Sequence, residues 1–209
     1  MPRAPLHIFM RQIIMKPMNT SGLTEKRMQN GRFFKNEQAI FIAYYKLKDY
    51  PSAKKLARIA GVSRSTLYRH HKKIQLISSD YEDYLLKNYR KIIKRFLKNN
   101  SSLKNIYLRT LVFISSNREV FKALFRENHK DIIKKMINSI KPKILTEWHL
   151  SGNLDKIYGI YANEVLAIME IWHKANFSNQ TLESALSDIL YLTKSSRRSL
   201  LSLQQPRRV

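Results

Sequence analysis

The 209-residue sequence contains no cysteine. This absence excludes disulfides, thiolate metal sites and cysteine catalysis, and a reducing cytoplasm is the expected compartment. Glycine and proline are scarce, with five and six residues, and strand-like alternation of apolar and polar residues is almost absent. No apolar run approaches the roughly 20 residues that a membrane-spanning helix needs, and Arg11 interrupts the N-terminal stretch that resembles a signal peptide. We therefore expect a cytoplasmic protein without a membrane partner.

Acidic residues are also few. The chain has 15 Asp and Glu against 39 Lys and Arg, which gives a formal net charge of +24. Residues 1–100 hold 22 basic and 6 acidic residues, a net of +16, whereas residues 101–209 hold 17 and 9, a net of +8. A basic surface binds polyanions because it releases the counterions that phosphates hold. The charge therefore favours a nucleic acid as partner, and the alternative is a lysine-rich chain with solvated helix faces.

What the sequence does contain is a helical rhythm. Apolar residues recur at spacings of three and four along almost the whole chain, which predicts an all-α fold. We expect a basic extension without a stable period at residues 1–34, and a small three-helix domain at 35–78 whose first helix begins at Asn36. A long helix, opened by a capping box at Ser79 and Glu82, would join it to a larger helical domain at 79–198, followed by a basic tail at 199–209.

The most informative pattern lies in residues 52–71. Ser52 and Ser63 stand where each can cap a short helix, and Gly61 stands in a turn that requires positive φ. Ala57 is small enough for two helices to cross closely, and apolar residues follow at spacings that would lock both helices. Such a pair is a helix-turn-helix, in which the N-terminal end of the second helix enters the major groove of DNA.

This segment resembles the DNA-binding signature of the tetracycline-repressor (TetR) family. The downstream helical rhythm is consistent with that family's ligand and dimerisation domain. Two positions depart from the family pattern: His71 stands where phenylalanine is usual, and Ile74 stands where a phosphate-contacting lysine is usual. The residues that carry the resemblance, within the stretch from Asn36 to Ile77, are Leu56-Ala57, Ala60-Gly61-Val62-Ser63 and Thr66-Leu67-Tyr68-Arg69-His70.

The resemblance implies a role for each matching position. Arg64, Ser65 and Arg69 are the candidates for contact with base edges, since arginine can bond both O6 and N7 of guanine. An ordinary three-helix domain with a solvated basic face is the alternative. The remaining candidates would cap the second helix or bind phosphates and set the register on the duplex: Ser52, Lys54, Lys55, Ser63, Thr66, Tyr68, His70, Lys72 and Lys73.

The last two predicted helices are the most apolar. The first of them carries a second apolar stripe at Ile160, Ala167 and Ile171, and a helix that is apolar on two sides must be covered on two sides. A four-helix bundle with a second copy would cover both helices, and burial within one chain is the alternative. The predicted homodimer interface consists of Ile157, Tyr161, Val165, Ile168, Trp172, Leu182, Leu186, Ile189 and Leu190.

Other chemistry has little support. Glu170 and His173 have the Glu-x-x-His spacing of di-iron bundles, but Glu164 is poorly placed to complete such a site. No nucleophile with a neighbouring base, phosphate-binding glycine loop or pair of catalytic carboxylates stands out. We therefore expect no metal, no cofactor and no enzymatic activity.

The combined expectation is a homodimeric repressor that binds a pseudo-palindromic operator in double-stranded DNA. A small-molecule effector in the C-terminal helices would release it, and Tyr107, Phe113, Trp148 and Tyr161 could line the pocket, although aromatic residues at helical spacing are more often core. The alternative is a DNA-binding protein of the same fold controlled by a protein partner, in nucleoid organisation or cell division. A buried ligand-sized cavity would favour the effector, and a solid core with an exposed apolar patch would favour the partner.

Overall fold

The computed structural model of the chain describes residues 25–47, 51–126, 129–148 and 155–204. Within these ranges the protein is all-helical and contains no strand, and none of its helices combines the length and apolar character needed to cross a membrane. By its contacts the chain divides into two units, Met1–Glu37 and Gln38–Val209, and the apolar cores lie within the second. The helices are α1 (Glu25–Lys46), α2 (Ala53–Ala60), α3 (Arg64–His70), α4 (Ile77–Lys98), α5 (Leu103–Ser116), α6 (Arg118–Arg126), α7 (Asp131–Asn138), α8 (Lys141–Trp148), α9 (Asp155–Lys174) and α10 (Leu182–Gln204), with 3₁₀ turns at Ile74–Leu76 and Asn179–Thr181.

The N-terminal helix is longer than the sequence pattern predicts. α1 begins at Glu25 rather than at Asn36, so the first helix extends into the segment that the sequence analysis assigned to the basic extension. Glu, Lys, Arg, Met and Gln in this stretch favour a helix by intrinsic propensity, whereas the absence of an apolar stripe gives no periodic signal. The rest of the predicted extension, residues 1–24, lies outside the described residues.

In the second unit, residues of α1, α2, α3 and the start of α4 pack together in a compact apolar cluster, which we call the small cluster. Phe41 of α1 also stacks on Tyr81 of α4, with ring centroids 4.3 Å apart. The first residue of α4, Ile77, belongs to the small cluster, and the rest of the helix continues beyond it. The buried members of the small cluster are Ile40 and Ala43 of α1, Leu56 and Ala57 of α2, Leu67 of α3 and Ile77 of α4.

The start of α4 differs from the predicted capping box. The helix begins at Ile77, after a 3₁₀ turn, and no side chain caps it. Ser79 Oγ donates to the carbonyl oxygen of Leu76 at 3.1 Å, while Glu82 accepts a hydrogen bond from Ser78 at 3.1 Å. Ile77 is fully buried in the small cluster, so burial of its side chain fixes the helix start ahead of the local capping signal.

The remaining helices form a closed ring, which we call the main bundle. α5 packs against α4 and α10, α10 against α9, α9 against α7, and α7 returns to α4. α6 packs on α5 and α9. Large aromatic side chains fill the interior and are responsible for much of its apolar burial: Tyr89, Phe121, Trp148, Tyr161 and Phe177 are each less than 2% exposed.

The three predicted segment boundaries all fall inside helices. The boundary after residue 34 lies within α1, the boundary after 78 within α4, and the boundary after 198 within α10. Continuous helix therefore crosses each of them, and the division into segments stays a prediction.

Candidate nucleic-acid interface

α2, α3 and the three-residue turn between them form the segment with the informative sequence pattern. Ser52 Oγ accepts from the backbone N–H of Lys55 at 3.3 Å, and Ser63 Oγ accepts from that of Thr66 at 3.0 Å. Each side chain therefore satisfies a backbone donor that a helix start leaves unpaired. Gly61 has φ +66°, in the left-handed region. The predicted caps and the predicted turn glycine are confirmed.

The small cluster determines which face of α3 is exposed. Leu67 is completely buried there, together with Leu56 and Ala57 of α2. Leu67 points inward, and the residue that follows it, Tyr68, is 48% exposed. Arg64 and Arg69 are exposed on the same helix. α3 thus presents two guanidinium groups and a phenol to solvent from a helix with a fixed start and a fixed inner face.

Most of the predicted DNA-binding residues lie on the surface. Thr66 and His70 are half-buried, and no described residue of the set is fully buried. Arg58, which the sequence reasoning did not select, is exposed on α2 as a further cation. The exposed members of the predicted set are Ser52, Lys54, Lys55, Ser63, Arg64, Ser65, Tyr68, Arg69, Lys72 and Lys73.

Three hydroxyl groups cluster at the start of α3. Ser63 Oγ lies 2.9 Å from Ser65 Oγ and 2.9 Å from Thr66 Oγ1. The Ser65 hydroxyl therefore has a partner within the chain, and it would have to exchange that partner to contact a base. The two arginines of α3 have no such internal partner among the described residues, which makes them the stronger candidates for base contact.

The charged side chains of this segment, apart from its histidines, are all positive. Residues 51–79 contain seven Lys and Arg and no Asp or Glu. None of the seven forms an ion pair with a carboxylate in the part of the chain that the structure describes. Their charge is therefore not neutralised internally and is available to a polyanion.

His71 and Asp80 connect α3 to α4. The backbone N–H of His71 donates to the carbonyl oxygen of Leu67, and its ring is buried with Nδ1 3.4 Å from Asp80 Oδ2. The departure at His71 is thus accommodated by burial and by a polar contact to α4, rather than by exposure to a ligand.

A second polar contact joins α1, α4 and the segment before α7. Tyr45 of α1 hydrogen-bonds Ser78 and donates to Glu82 Oε1 at 3.3 Å. The same carboxylate oxygen lies 3.2 Å from His129 Nδ1, and the ring of His129 meets that of Tyr45 edge-on at 5.3 Å. Glu82 therefore links α1, α4 and the segment before α7 through one carboxylate oxygen.

The predicted dimer interface requires correction. Six of its nine residues are 0–4% exposed within a single chain, because the ring of helices covers the more apolar stripe of α9 and the facing side of α10. The alternative of burial within one chain is confirmed for these six. Ile168 and Leu190 are half-buried, and the side chain of Ile157 lies outside the described residues. The six buried residues are Tyr161, Val165, Trp172, Leu182, Leu186 and Ile189.

The second apolar stripe of α9 faces solvent instead. Ile160 is 57% and Ile171 67% exposed, and Ala167 between them is also exposed. On the neighbouring α10, Tyr191 is 77% exposed. We call Ile160, Ala167, Ile171 and Tyr191 the outer patch.

A chain of buried hydroxyl groups crosses the main bundle. Tyr107 of α5 hydrogen-bonds Tyr161 of α9, and Tyr161 lies 3.0 Å from Thr193 Oγ1 of α10. Burial raises the pKa of Tyr107 well above its ordinary value and also raises that of Tyr161, so both phenols stay protonated at neutral pH. Two of the four candidate pocket residues, Tyr107 and Tyr161, are in direct contact here.

Trp148 completes this interior group. Its ring meets that of Tyr161 edge-on at 5.2 Å, and its buried indole N–H has no acceptor among the described residues. Phe113, the fourth candidate, lies elsewhere, with its ring 5.6 Å from Tyr89 and 6.2 Å from Phe121.

Two clefts of about 430 Å³ each lie on the outside of α4, open to solvent rather than enclosed in the bundle. The first lies over the middle of the helix, and the second lies between α4 and α7. The sequence analysis assigned no function to the basic residues of this helix. The signal was present in the spacing of the cations that line the clefts: Lys87, Arg90, Lys91, Lys94 and Lys135.

Glu170 and His173 are occupied by other contacts. Glu170 Oε1 lies 2.8 Å from Lys130 Nζ. The ring of His173 stacks on Phe125 at 5.0 Å, and burial, aided by Lys122, lowers its pKa. The described residues contain no group of three or more His, Asp or Glu arranged to hold a metal ion.

Comparisons with protein-family models, with curated proteins and with solved structures returned no match to this chain. The resemblance to the TetR family therefore rests on the quoted residues of α2, the turn and α3. Its implications for DNA binding stay predictions, and the local geometry is their support.

Proposed function

We propose that the protein is a sequence-specific regulator of transcription that binds double-stranded DNA as a homodimer and has no enzymatic activity. The observation that carries this proposal is the outward face of α3. Ser63 fixes the start of the helix and Leu67 fixes its inner side, so Arg64, Tyr68 and Arg69 project from a rigid support. Rigid support matters because base readout depends on hydrogen bonds placed within tenths of an ångström.

The roles within the interface divide by chemistry. Arg64 and Arg69 are proposed to read guanine edges in the major groove. Tyr68, with Thr66 and His70, would bind phosphate oxygens and set the register. The exposed lysines around both helices would supply the salt-sensitive part of the affinity: Lys54, Lys55, Lys72 and Lys73.

The homodimer is proposed to form through the outer patch rather than through the buried stripe. Ile160, Ala167 and Ile171 lie on one face of α9, and Tyr191 lies on the helix packed against it. Exposed apolar residues of this size, gathered on two adjacent helices, favour a protein interface, and two such pairs would make a four-helix contact.

Ile171→Glu tests this interface, with Leu76→Glu as a matched control because Leu76 is exposed at 46% and lies far along the chain. Sedimentation equilibrium should give a dimer for the native chain and the control, and a monomer for Ile171→Glu. If the native chain is a monomer, the outer patch is not a homodimer interface, and the result favours the alternative in which a different protein binds there.

The outer patch and the position of both clefts outside the bundle favour the partner-controlled alternative. A small-molecule effector is the second candidate, and it would have to open a site beside Trp148 and the buried hydroxyl chain. Trp148 offers a buried N–H without an acceptor, and Tyr107 and Tyr161 offer hydroxyl groups. An unpaired buried donor costs about 1–3 kcal/mol, so a ligand carrying an acceptor would gain by pairing it. Trp172→Phe leaves Trp148 as the only tryptophan, and its emission should change with every compound that releases DNA. Release without any change in that emission would contradict this location.

The proposed function is tested by selecting bound sites from random duplex DNA at a stated salt concentration. A sequence-specific dimer should enrich one inverted repeat with half-sites about one helical turn apart. Salt-sensitive binding without enrichment of any sequence would contradict specific readout by α3.

A further inference from the structure

The outer face of α4 carries a second concentration of positive charge. Its cations recur at spacings of three and four residues, which places them on one side of a helix. They extend over about 16 Å along the axis at 1.5 Å per residue. All five are exposed, and we call them the α4 stripe: Lys87, Arg90, Lys91, Lys94 and Lys98.

The α4 stripe is not neutralised within the chain. Elsewhere in the main bundle two half-buried cations lie close to carboxylates: Lys122 is 3.1 Å from Glu119 and Lys130 is 2.8 Å from Glu170. None of the five stripe cations forms such a pair among the described residues. The lining of the clefts adds Lys135 from α7, and Asp83 is its only carboxylate. A generally lysine-rich composition does not explain this concentration on one face.

The stripe is separate from the α2–α3 surface. α4 leaves the small cluster at Ile77, and the first cation, Lys87, follows about 15 Å further along the helix axis. The last, Lys98, follows at about 31 Å. DNA contact at α3 therefore does not by itself account for the stripe.

We infer that the α4 stripe binds the phosphate backbone of a second segment of double-stranded DNA, beyond the segment held by α3 in the proposed function. A row of cations at intervals of about 4.5–6 Å, set by the helical rise, suits a repeating polyanion better than one small anion. Phosphate contacts of this kind carry no sequence information.

The other polyanionic partners fit the face less well. A membrane-bound helix needs an exposed apolar side, whereas α4 exposes no large apolar side chain: Tyr81, Leu85, Tyr89 and Ile93 are buried, and Tyr84, Ile92, Phe96 and Leu97 are half-buried. Single-stranded nucleic acid stacks its bases on exposed aromatic rings. Between Lys87 and Lys98 the aromatic residues are Tyr89, which is buried, and Phe96, which is half-buried with Arg109 over its ring. Duplex backbone is the partner that requires cations alone.

The test uses the full chain and a short random-sequence duplex. The stripe variant is Lys87→Gln, Lys91→Gln and Lys94→Gln together. The matched control removes the same charge elsewhere, by Lys104→Gln, Lys174→Gln and Lys194→Gln, all exposed positions. Glutamine is a good helix former, so circular dichroism should show the same helix content in both variants.

With protein already saturated at α3 by its selected operator, capture of a second labelled duplex should occur for the native chain and the control and be lost in the stripe variant. The affinity for this second duplex should fall as salt rises, with a slope of log affinity against log salt of about 0.9 per phosphate contact. Arg64→Ala should change neither the capture of the second duplex nor this slope. Capture that persists in the stripe variant, or is lost equally in the control, would overturn the inference. Loss of operator selection with second-duplex capture intact would instead count against the proposed function alone.

Discussion

The α2–α3 surface and the outside of the main bundle differ in the surroundings of their lysine and arginine side chains. Both are exposed helical surfaces rich in lysine. Around α2 and α3 seven cations occur without one acidic residue in 51–79, whereas in the main bundle three half-buried cations, Lys122, Lys130 and Lys143, lie 2.8–3.2 Å from carboxylates. The comparison teaches that the net charge of the chain is not spread evenly, and that several unpaired cations gathered on one face, rather than single ones such as Lys104, mark a surface available to a polyanion. The α4 stripe shares the unpaired character of α2 and α3.

The α2–α3 surface depends on the small cluster that packs beneath it, and a substitution in that cluster should have the largest effect of those proposed here. Leu67→Ala removes a fully buried side chain between α3 and the small cluster and should lower the free energy of unfolding by about 2–5 kcal/mol. Leu76→Ala, at a position that is 46% exposed, should change it by less than about 0.5 kcal/mol. Urea denaturation measures both, and equal losses would contradict the packing described for Leu67.

A smaller effect is expected where one polar group is removed from the unpaired surface. Tyr68→Phe keeps the ring and loses the hydroxyl, and it should weaken binding to operator and random duplex alike, by about 0.5–1.5 kcal/mol. Thr146→Val likewise removes one hydroxyl group, at an exposed position on α8 outside every proposed interface, and should leave DNA affinity unchanged. Fluorescence anisotropy with both duplexes measures this. A changed ratio of operator to random affinity would contradict the phosphate role of Tyr68.

The smallest effect is expected on the paired surface. Lys122→Ala breaks the exposed contact with Glu119 and should alter the free energy of unfolding by less than about 1 kcal/mol. It should not change DNA affinity, whereas Lys54→Ala, on α2, should reduce the affinity and its dependence on salt. Equal effects of the two variants on DNA binding would remove the distinction between paired and unpaired charge.

The local features of the site could be predicted because they depend on short stretches of sequence. Ser52 and Ser63 cap helices whose first turns follow at once, and the left-handed turn at Gly61 needs only a residue without a Cβ. The all-helical class followed in the same way from the spacing of apolar residues.

Features that depend on tertiary packing could not be predicted in this way. Burial of Ile77 moved the start of α4 ahead of the Ser79 capping signal. α9 has two apolar stripes of similar character, and only the ring of neighbouring helices shows that Val165 is buried and Ile171 exposed. The grouping of Tyr107, Trp148 and Tyr161 without Phe113 likewise results from how distant helices meet.

The central claim is that α3 reads bases through Arg64, and site selection with the native chain and with Arg64→Ala tests it most directly. The account predicts that the variant still enriches the inverted repeat but loses the preference at one base position in each half-site, with about 1–3 kcal/mol lower affinity for the original operator. Arg118→Ala, at an exposed arginine beside Glu119 on α6, serves as control and should keep every preference. An unchanged preference at every position in Arg64→Ala, with affinity for operator and random DNA lowered equally, would contradict the claim.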